Sequence, residues 1–333
     1  MAPKAEATHN RAAAIIKKYG IILVLLLMVI GLSIFQPAFR TMPNVVNILN
    51  QTAIFGIMAV GLTFVIISGG IDLSVGSILA FSGVIMGSMS QVEGAMNPIW
   101  PNIGPFPFLL CLLAALAIGT SCGAVSGSLI SRARIPPFIA TLGMMVVARG
   151  LALVVTGGRP VSGLNPGFAV IGSRIFNNNI PVPVIIYICV IAAGWILLNN
   201  TKFGKSVYAL GSNRAAAEVS GINVKATLTK VYMLSGFLAA LAAIVFSART
   251  LSAHPGAATG FELTAIAATT IGGTSHSGGI GTMWGAVVGA LILAVLRNGL
   301  TLLGVHPHWQ GITEGVIIVV AVVIDMRKNA VKK

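Results

Sequence analysis

Apolar residues fall into long blocks, at about 19–36, 48–68, 72–90, 107–131, 137–157, 183–199, 230–248, 261–274, 281–303 and 309–325, separated by short polar segments. A helix of about 20 mostly apolar residues crosses a bilayer. The pattern predicts an all-α integral membrane protein with about ten transmembrane helices. The eighth block, "FELTAIAATTIGGT", is too short for a full crossing and is expected to be half-buried or broken. The first block follows Lys17 and Lys18 as a secretory leader would. It is long, however, and no small-x-small cleavage site follows, so it is expected to remain as the first helix. The expected organisation is a tail at 1–18, one transmembrane domain over 19–326 and a tail at 327–333.

Composition strengthens this reading. The chain of 333 residues is 56% hydrophobic and 8% charged, with a mean hydropathy of +0.94. Soluble domains carry roughly 25% charged residues, so the outer solvent of this chain is lipid. The net charge of +14 does not indicate a nucleic-acid partner, because the basic residues sit in short blocks between apolar segments. Cys111, Cys122 and Cys189 lie inside apolar blocks and are expected to be small buried hydrophobes rather than a disulfide or metal set.

Charge placement sets a sidedness. If the N-terminus is cytoplasmic and ten spans alternate, 15 Lys and Arg fall inside, four (Arg40, Arg159, Arg174, Arg249) fall outside, and Arg149 and Arg297 lie in spans, accounting for all 21. Such a bias is what the positive-inside rule requires, and it places both termini in the cytoplasm. The largest inside loop is 199–230. Its alanine-rich middle, Arg214–Val219, is expected to form a short helix bracketed by Gly211 and Gly221, the alternative being an ordinary basic loop. Spans two to five and seven to ten would enter from opposite sides, as inverted repeats do.

Of seven acids, Asp72, Glu262 and Glu314 lie at or within spans. A charge there is costly, about 2.5–3.5 kcal/mol on insertion scales, and needs a reason. Asp72 follows Gly69 and Gly70 and precedes Gly76, so it is expected to open the third helix as a cap, with a direct substrate or ion contact as the alternative. Glu262 repeats the glycine-then-acid arrangement. Glu314 has no such explanation and is expected to pair with Arg297 or Arg149. Gly272 and Gly273 make an irregular inside turn, and Gly281, Gly285 and Gly289 share one helix face. "FGKS" at 203–206 is not a phosphate-binding loop, because residue 199 is Asn where that motif needs Gly. The histidines at 9, 254, 276, 306 and 308 are scattered, and no metal site is expected.

"SGGIDLSVGSILAFSG", "IPPFIATLGMMVVARG", "FGKSVYALGSNRAAAEVSGINV", "ELTAIAATTIGGTSHSGGIGTMWGAVVGALI" and "NGLTLLGV" occur in order along nearly the whole chain. Together they resemble the membrane permease subunits of ribose-type sugar ABC importers. The resemblance implies the larger importer-type fold of the cobalamin permease, a homodimer of this chain, a two-cassette ATPase that holds ATP and Mg, and a periplasmic sugar-binding protein. No cofactor is implied for this chain. It also implies a coupling helix, assigned to Ala215, Ala216, Ala217, Glu218 and Gly221. The outside residues Arg40, Arg159, Arg174 and Arg249 are expected to receive acids of the binding protein. Gly69, Gly70, Asp72, Gly76, Glu262, Gly272 and Gly273 are expected to be turn or pathway positions. The implied function is monosaccharide import; the alternatives are an amino-acid importer of the same architecture and an ion-coupled carrier using Asp72, Glu262 or Glu314.

Overall fold

The structure, a computed structural model, describes residues 20–175 and 180–330. The expected tail at 1–18 lies outside the described residues. Helices dominate: α1 (Gly20–Phe35), a 3-10 turn (Pro37–Arg40), α2 (Met42–Ile67), α3 (Val75–Met89), α4 (Phe108–Ser131), α5 (Pro137–Thr156), α6 (Gly167–Gly172), α7 (Val182–Asn200), α8 (Lys202–Ser212), α9 (Arg214–Val219), α10 (Val224–Thr250), α11 (Phe261–Ile271), α12 (Met283–Leu302) and α13 (Pro307–Ala330). A two-residue antiparallel ladder, β1 (Arg174–Ile175) with β2 (Ile180–Pro181), precedes α7. Six helices (α2, α4, α5, α7, α10, α12) are long and apolar enough to cross a membrane, and α1, α3, α11 and Pro307–Val323 of α13 are shorter apolar helices.

Burial sorts the long helices into layers. The apolar window of α2 is 89% buried and that of α10 72%, whereas α4, α5 and α7 bury only 22–28% of theirs. A helix apolar on every side is buried in protein or faces lipid. Here α4, α5 and α7 lie at the periphery with most of their apolar surface uncovered, and α2 and α10 are the centre. Their 26 and 27 residues span about 40 Å, more than the ~30 Å hydrocarbon core.

Polar segments collect at two ends. At one, the Ile67 carbonyl accepts the Gly279 N–H (2.8 Å) and Tyr208 donates to the Gly281 carbonyl (2.7 Å). At the other, Gln36 donates to the Leu302 carbonyl (2.6 Å), and bridges join Gln91 to Leu164 and Val161 to Ala253. The charge pattern expects the first of these ends to be the cytoplasmic one. Below, the ends are called inner and outer accordingly.

The two short helices α3 and α11 begin in the middle. Residues 70–74 run without helix from the inner end, and Asp72 meets Ser235, eleven residues into α10. That is about 16 Å above the start of α10. From the outer end, 251–260 descends until the Ala258 carbonyl and the Glu262 carboxylate cover Gly76, where a side chain would overlap both. So α3 and α11 start side by side and run apart. The packing of the two blocks matches: α10 lies on α3 and α4 as α2 lies on α11 and α12, and α3 touches α4 and α5 as α11 touches α12 and α13. This is the arrangement an inverted repeat of spans two to five and seven to ten produces.

Several boundaries differ from the sequence expectation. α2 starts at Met42 rather than 48 and α10 at Val224 rather than 230, because Pro43, Asn44 and Asn47 in α2 and Lys225, Thr227 and Thr229 in α10 interrupt the apolar run without interrupting the helix. The third span is not a full crossing from 72, since α3 starts only at Val75. α13 runs to Ala330, past the expected boundary at 326. Gly281 precedes α12, so only Gly285 and Gly289 share its face. Cys189 is exposed on α7 rather than buried; Cys111 is buried and Cys122 half-buried.

Candidate functional site

At the junction of the half-helices, Asp72 is 1% exposed. Its Oδ1 accepts the Ser74 N–H (2.9 Å) and the Ser74 hydroxyl (2.5 Å), and its Oδ2 accepts the Ser235 hydroxyl (2.7 Å). Asp72 therefore does not cap α3 as the sequence suggested. It closes an Asx turn on Ser74, the residue before the helix, and ties the lead-in to α10. Tyr232 and Thr141 donate to the Ile71 carbonyl, at 3.3 and 3.4 Å. Gly70 is required because a side chain would collide with the Tyr232 hydroxyl, and Gly69 takes the left-handed φ of +81° at the turn.

Hydrogen bonds to a charged group contribute about 1.5–3 kcal/mol each, and an orphaned buried donor costs about 1–3 kcal/mol. Asparagine can keep the Ser74 and Ser235 contacts at Asp72, whereas leucine cannot. Asp72→Leu is therefore expected to lower the melting temperature of the detergent-solubilised protein sharply, while Asp72→Asn melts close to wild type and still transports. A stable Asp72→Asn protein without transport would instead mark a substrate or ion contact.

Glu262 sits second in α11, and its Oε1 accepts the Gly260 N–H (3.2 Å). Like Asp72, it does not cap its helix as the sequence suggested: the bonded amide belongs to Gly260, the residue before α11, which has φ +83°. Arg149 does not pair with Glu314; it donates to the carbonyls of Pro255 (2.6 Å) and Ala257 (2.7 Å), bracing the descending segment. Glu314 pairs with Arg297 through Nε to Oε1 and through Nη2 to Oε2, the second at 2.8 Å. The Arg297 guanidinium lies 4.9 Å from the Phe55 ring centre and 5.7 Å from that of Phe261.

An outer cavity of about 260 Å³ opens over this pair, lined by Gln51, Phe55, Phe246, Arg249, Phe261, Arg297, Thr301 and Gln310 among others. Arg40, Arg159, Arg174 and Arg249 are all exposed in segments of the outer end. Arg249 differs from the other three: it stands in the last turn of α10, bonds Asn47 (2.8 Å) and lines the cavity.

At the inner end, three side chains start three helices. Thr201 accepts the Gly204 N–H at the start of α8, Asn213 the Ala216 N–H at α9, and Asn223 the Ala226 N–H at α10. α9 thus exists as the expected short helix. Ala215, Ala216, Glu218 and Gly221 are exposed on it or just beyond, and Ala217 is buried. Gly221 makes the expected turn with φ +81°. Gly211 does not: it is inside α8, packed on the Ile67 carbonyl where no side chain fits. Val219, overlooked in the sequence, is 90% exposed at the tip of α9. A second cavity, about 550 Å³, lies between α9 and the α2–α3 turn, with Arg134, Arg214, Glu218, Lys225 and Ser68–Gly70 in its wall. Gly272 packs on the Gly285 carbonyl and Gly273 turns the chain with φ +86°. Among the described residues no cluster of metal-ligating side chains occurs.

Sequence reasoning also missed Ser235 and the Phe55–Phe261–Arg297 group. A signal was present: Gly70-Ile71-Asp72-Leu73-Ser74 and Gly260-Phe261-Glu262-Leu263-Thr264 share one pattern of glycine, apolar residue, acid, leucine and hydroxyl. The first leads into α3 and the second forms the start of α11.

Comparison with known proteins places the chain. The family model described as branched-chain amino acid transport system / permease component matches residues 44–322. The ribose import permease protein RbsC of Escherichia coli K12 is 44% identical over 92% of this chain and 93% of that protein. RbsC of Bacillus subtilis 168 is 42% identical over 95% of both. The galactose/methyl galactoside import permease protein MglC of E. coli K12 is 37% identical over 98% of this chain and its own full length. No solved structure matches.

Proposed function

This chain belongs to the branched-chain amino acid transport system / permease component family, and from that premise we propose that it is the membrane permease subunit of an ATP-driven importer of a monosaccharide. The observation that carries this is the full-length similarity to import permeases for ribose and for galactose and methyl galactoside. Ribose is the first candidate substrate. The protein is a multi-pass protein of the bacterial inner membrane and a transport component rather than an enzyme.

The chain would work as a homodimer with a separate two-cassette ATPase that binds ATP and Mg, and would receive sugar from a periplasmic binding protein. Both termini would lie on the ATPase side, and 15 of the 21 Lys and Arg would fall there. α9 would be the coupling helix, docking through Ala215, Ala216 and Glu218, with Val219 as an apolar knob and Gly221 as its hinge turn. Ala217 faces the permease and holds α9 in place. Arg40, Arg159 and Arg174, with Arg249 nearer the cavity, would receive acids on the binding protein.

Transport then follows from two states. Closure of the cassettes moves α9, and α9 is joined through α8 and Gly211 to the end of α2 and through Asn223 to α10. A nucleotide that favours one cassette arrangement thereby favours one opening of the bundle, by as much as its affinities for the two states differ. Reconstituted with ATPase and binding protein, the wild-type chain is expected to take up labelled ribose only with ATP and binding protein present. Glu218→Lys is expected to cut uptake more than about tenfold, the factor that ~1.4 kcal/mol of lost docking energy gives, with normal membrane insertion. Uptake driven by an ion gradient without ATP would overturn the importer reading.

A further inference from the structure

We propose that the outer cavity is a monosaccharide contact site belonging to the permease itself, where the sugar released by the binding protein first rests. This builds on the importer reading and adds a defined site to it. The cavity wall joins two kinds of surface. Phe55 and Phe261 meet edge to face with ring centres 4.6 Å apart, and Phe246 meets Phe261 at 6.2 Å. Around them stand Gln51, Arg249, Arg297, Thr301 and Gln310. A sugar ring has the same division: apolar C–H faces that lie on aromatic rings, and hydroxyls that both donate and accept. Planar amide and guanidinium groups meet such hydroxyls two at a time.

Bonding capacity is left over for a ligand. Arg297 uses Nε and Nη2 on Glu314 and Thr264, and its Nη1 has no hydrogen bond among the described residues. Gln310 donates from Nε2 to the Val305 carbonyl and toward Thr301, while its Oε1 accepts nothing there. At the aromatic floor the charge of Arg297 is cancelled by Glu314, which suits a neutral ligand there, while the remaining charge of the lining, Arg249, stands at the exposed end of α10 beside Asn47. Size agrees: about 260 Å³ falls just below the roughly 300–1,000 Å³ of clefts for drug-sized ligands, which suits one sugar ring and not two.

Position agrees as well. The mouth is formed by the outer turns of α10, α12 and α13, and the floor by Phe55 and Phe261, where α11 begins beside α3. The matching packing of the two blocks sets the inner cavity at Ser68–Gly70 opposite it, so the half-helix starts stand between an outer and an inner chamber.

The test uses the complete complex of permease, ATPase and binding protein in proteoliposomes, with Phe261→Leu and Gln310→Ala variants. Uptake of labelled ribose and galactose is expected to fall about fivefold to tenfold in each, while loaded binding protein still stimulates ATP hydrolysis. Unchanged uptake in both variants overturns the site. Parallel loss of uptake and stimulation also overturns it, because that marks a structural role. Absence of ATP-dependent sugar uptake by the wild-type complex would instead defeat the importer reading. A second measurement labels Thr301→Cys in a protein with Cys111, Cys122 and Cys189 changed to alanine. Ribose is expected to slow thiol labelling severalfold where glycerol at equal concentration does not, and equal rates with both count against the site.

Discussion

Gly123→Val is expected to leave almost no monodisperse permease after extraction in mild detergent. Gly119, Gly123 and Gly127 lie four residues apart on α4 and face Thr229, Tyr232, Gly236 and Ala240 of α10. A Cβ at Gly123 would overlap the Tyr232 carbonyl and stand 2.8 Å from its carbon and 3.0 Å from the Met233 Cα. All of these are backbone atoms, so the only relief is separation of the helices. Between lipid-embedded helices close approach is itself the main attraction, since lipid removes the hydrophobic drive. Overpacking ordinarily costs about 1–3 kcal/mol, and a backbone contact that cannot yield belongs at the top of that range or above it. Total stabilities are only about 5–15 kcal/mol. The damage would also spread, because Tyr232 and Ser235 on the displaced face hold Ile71 and Asp72. Gly143→Ala and Gly150→Ala are the controls: no atom lies within 4 Å of a Cβ at either. Alanine is the better helix former by about 1 kcal/mol, so both should melt at or above the wild-type temperature. A well-folded Gly123→Val protein with an unchanged melting temperature would sink the argument that α4 and α10 touch through backbone.

Hydropathy exposes the apolar helices because lipid imposes apolar surface on every residue facing it. It misplaces ends where the helix leaves lipid. α10 carries Lys225, Thr227 and Lys230 in its first turns, so a polarity criterion starts it six residues late. The half-helices are hidden for the opposite reason. Ile71 and Leu73 in the extended lead-in are as apolar as helix residues, and the third block looked full length. Only the eighth was short enough to betray itself. Among the acids, local logic found the glycine turn beside Asp72 but could not find Ser235, which is 163 residues away. The Arg297–Glu314 pair stood among the sequence options, yet the choice against Arg149 depended on where 251–260 descends.

That pair carries the second large effect. Glu314→Ala is expected to lower stability by about 2–4 kcal/mol, and Arg297→Met with Glu314→Leu together to recover most of the loss. With side chains only 27% and 12% exposed, the two charges have little water to fall back on. Removing one partner of a buried pair typically costs about 3–5 kcal/mol because the other charge is left uncompensated. Here the cost is reduced, since Arg297 lines the outer cavity and at 27% exposure keeps some contact with water. Removing both charges ends the desolvation cost and fills the space with apolar atoms, so a double-mutant cycle of melting in detergent should show strong coupling. Additive single mutants would mean that the pair holds nothing. The same double variant separates stability from use. If Arg297 also meets sugar hydroxyls in the outer cavity, the restored protein folds and couples to its ATPase but takes up sugar about as poorly as Phe261→Leu. Recovery of uptake together with stability would reduce Arg297 to a strut between α12 and α13.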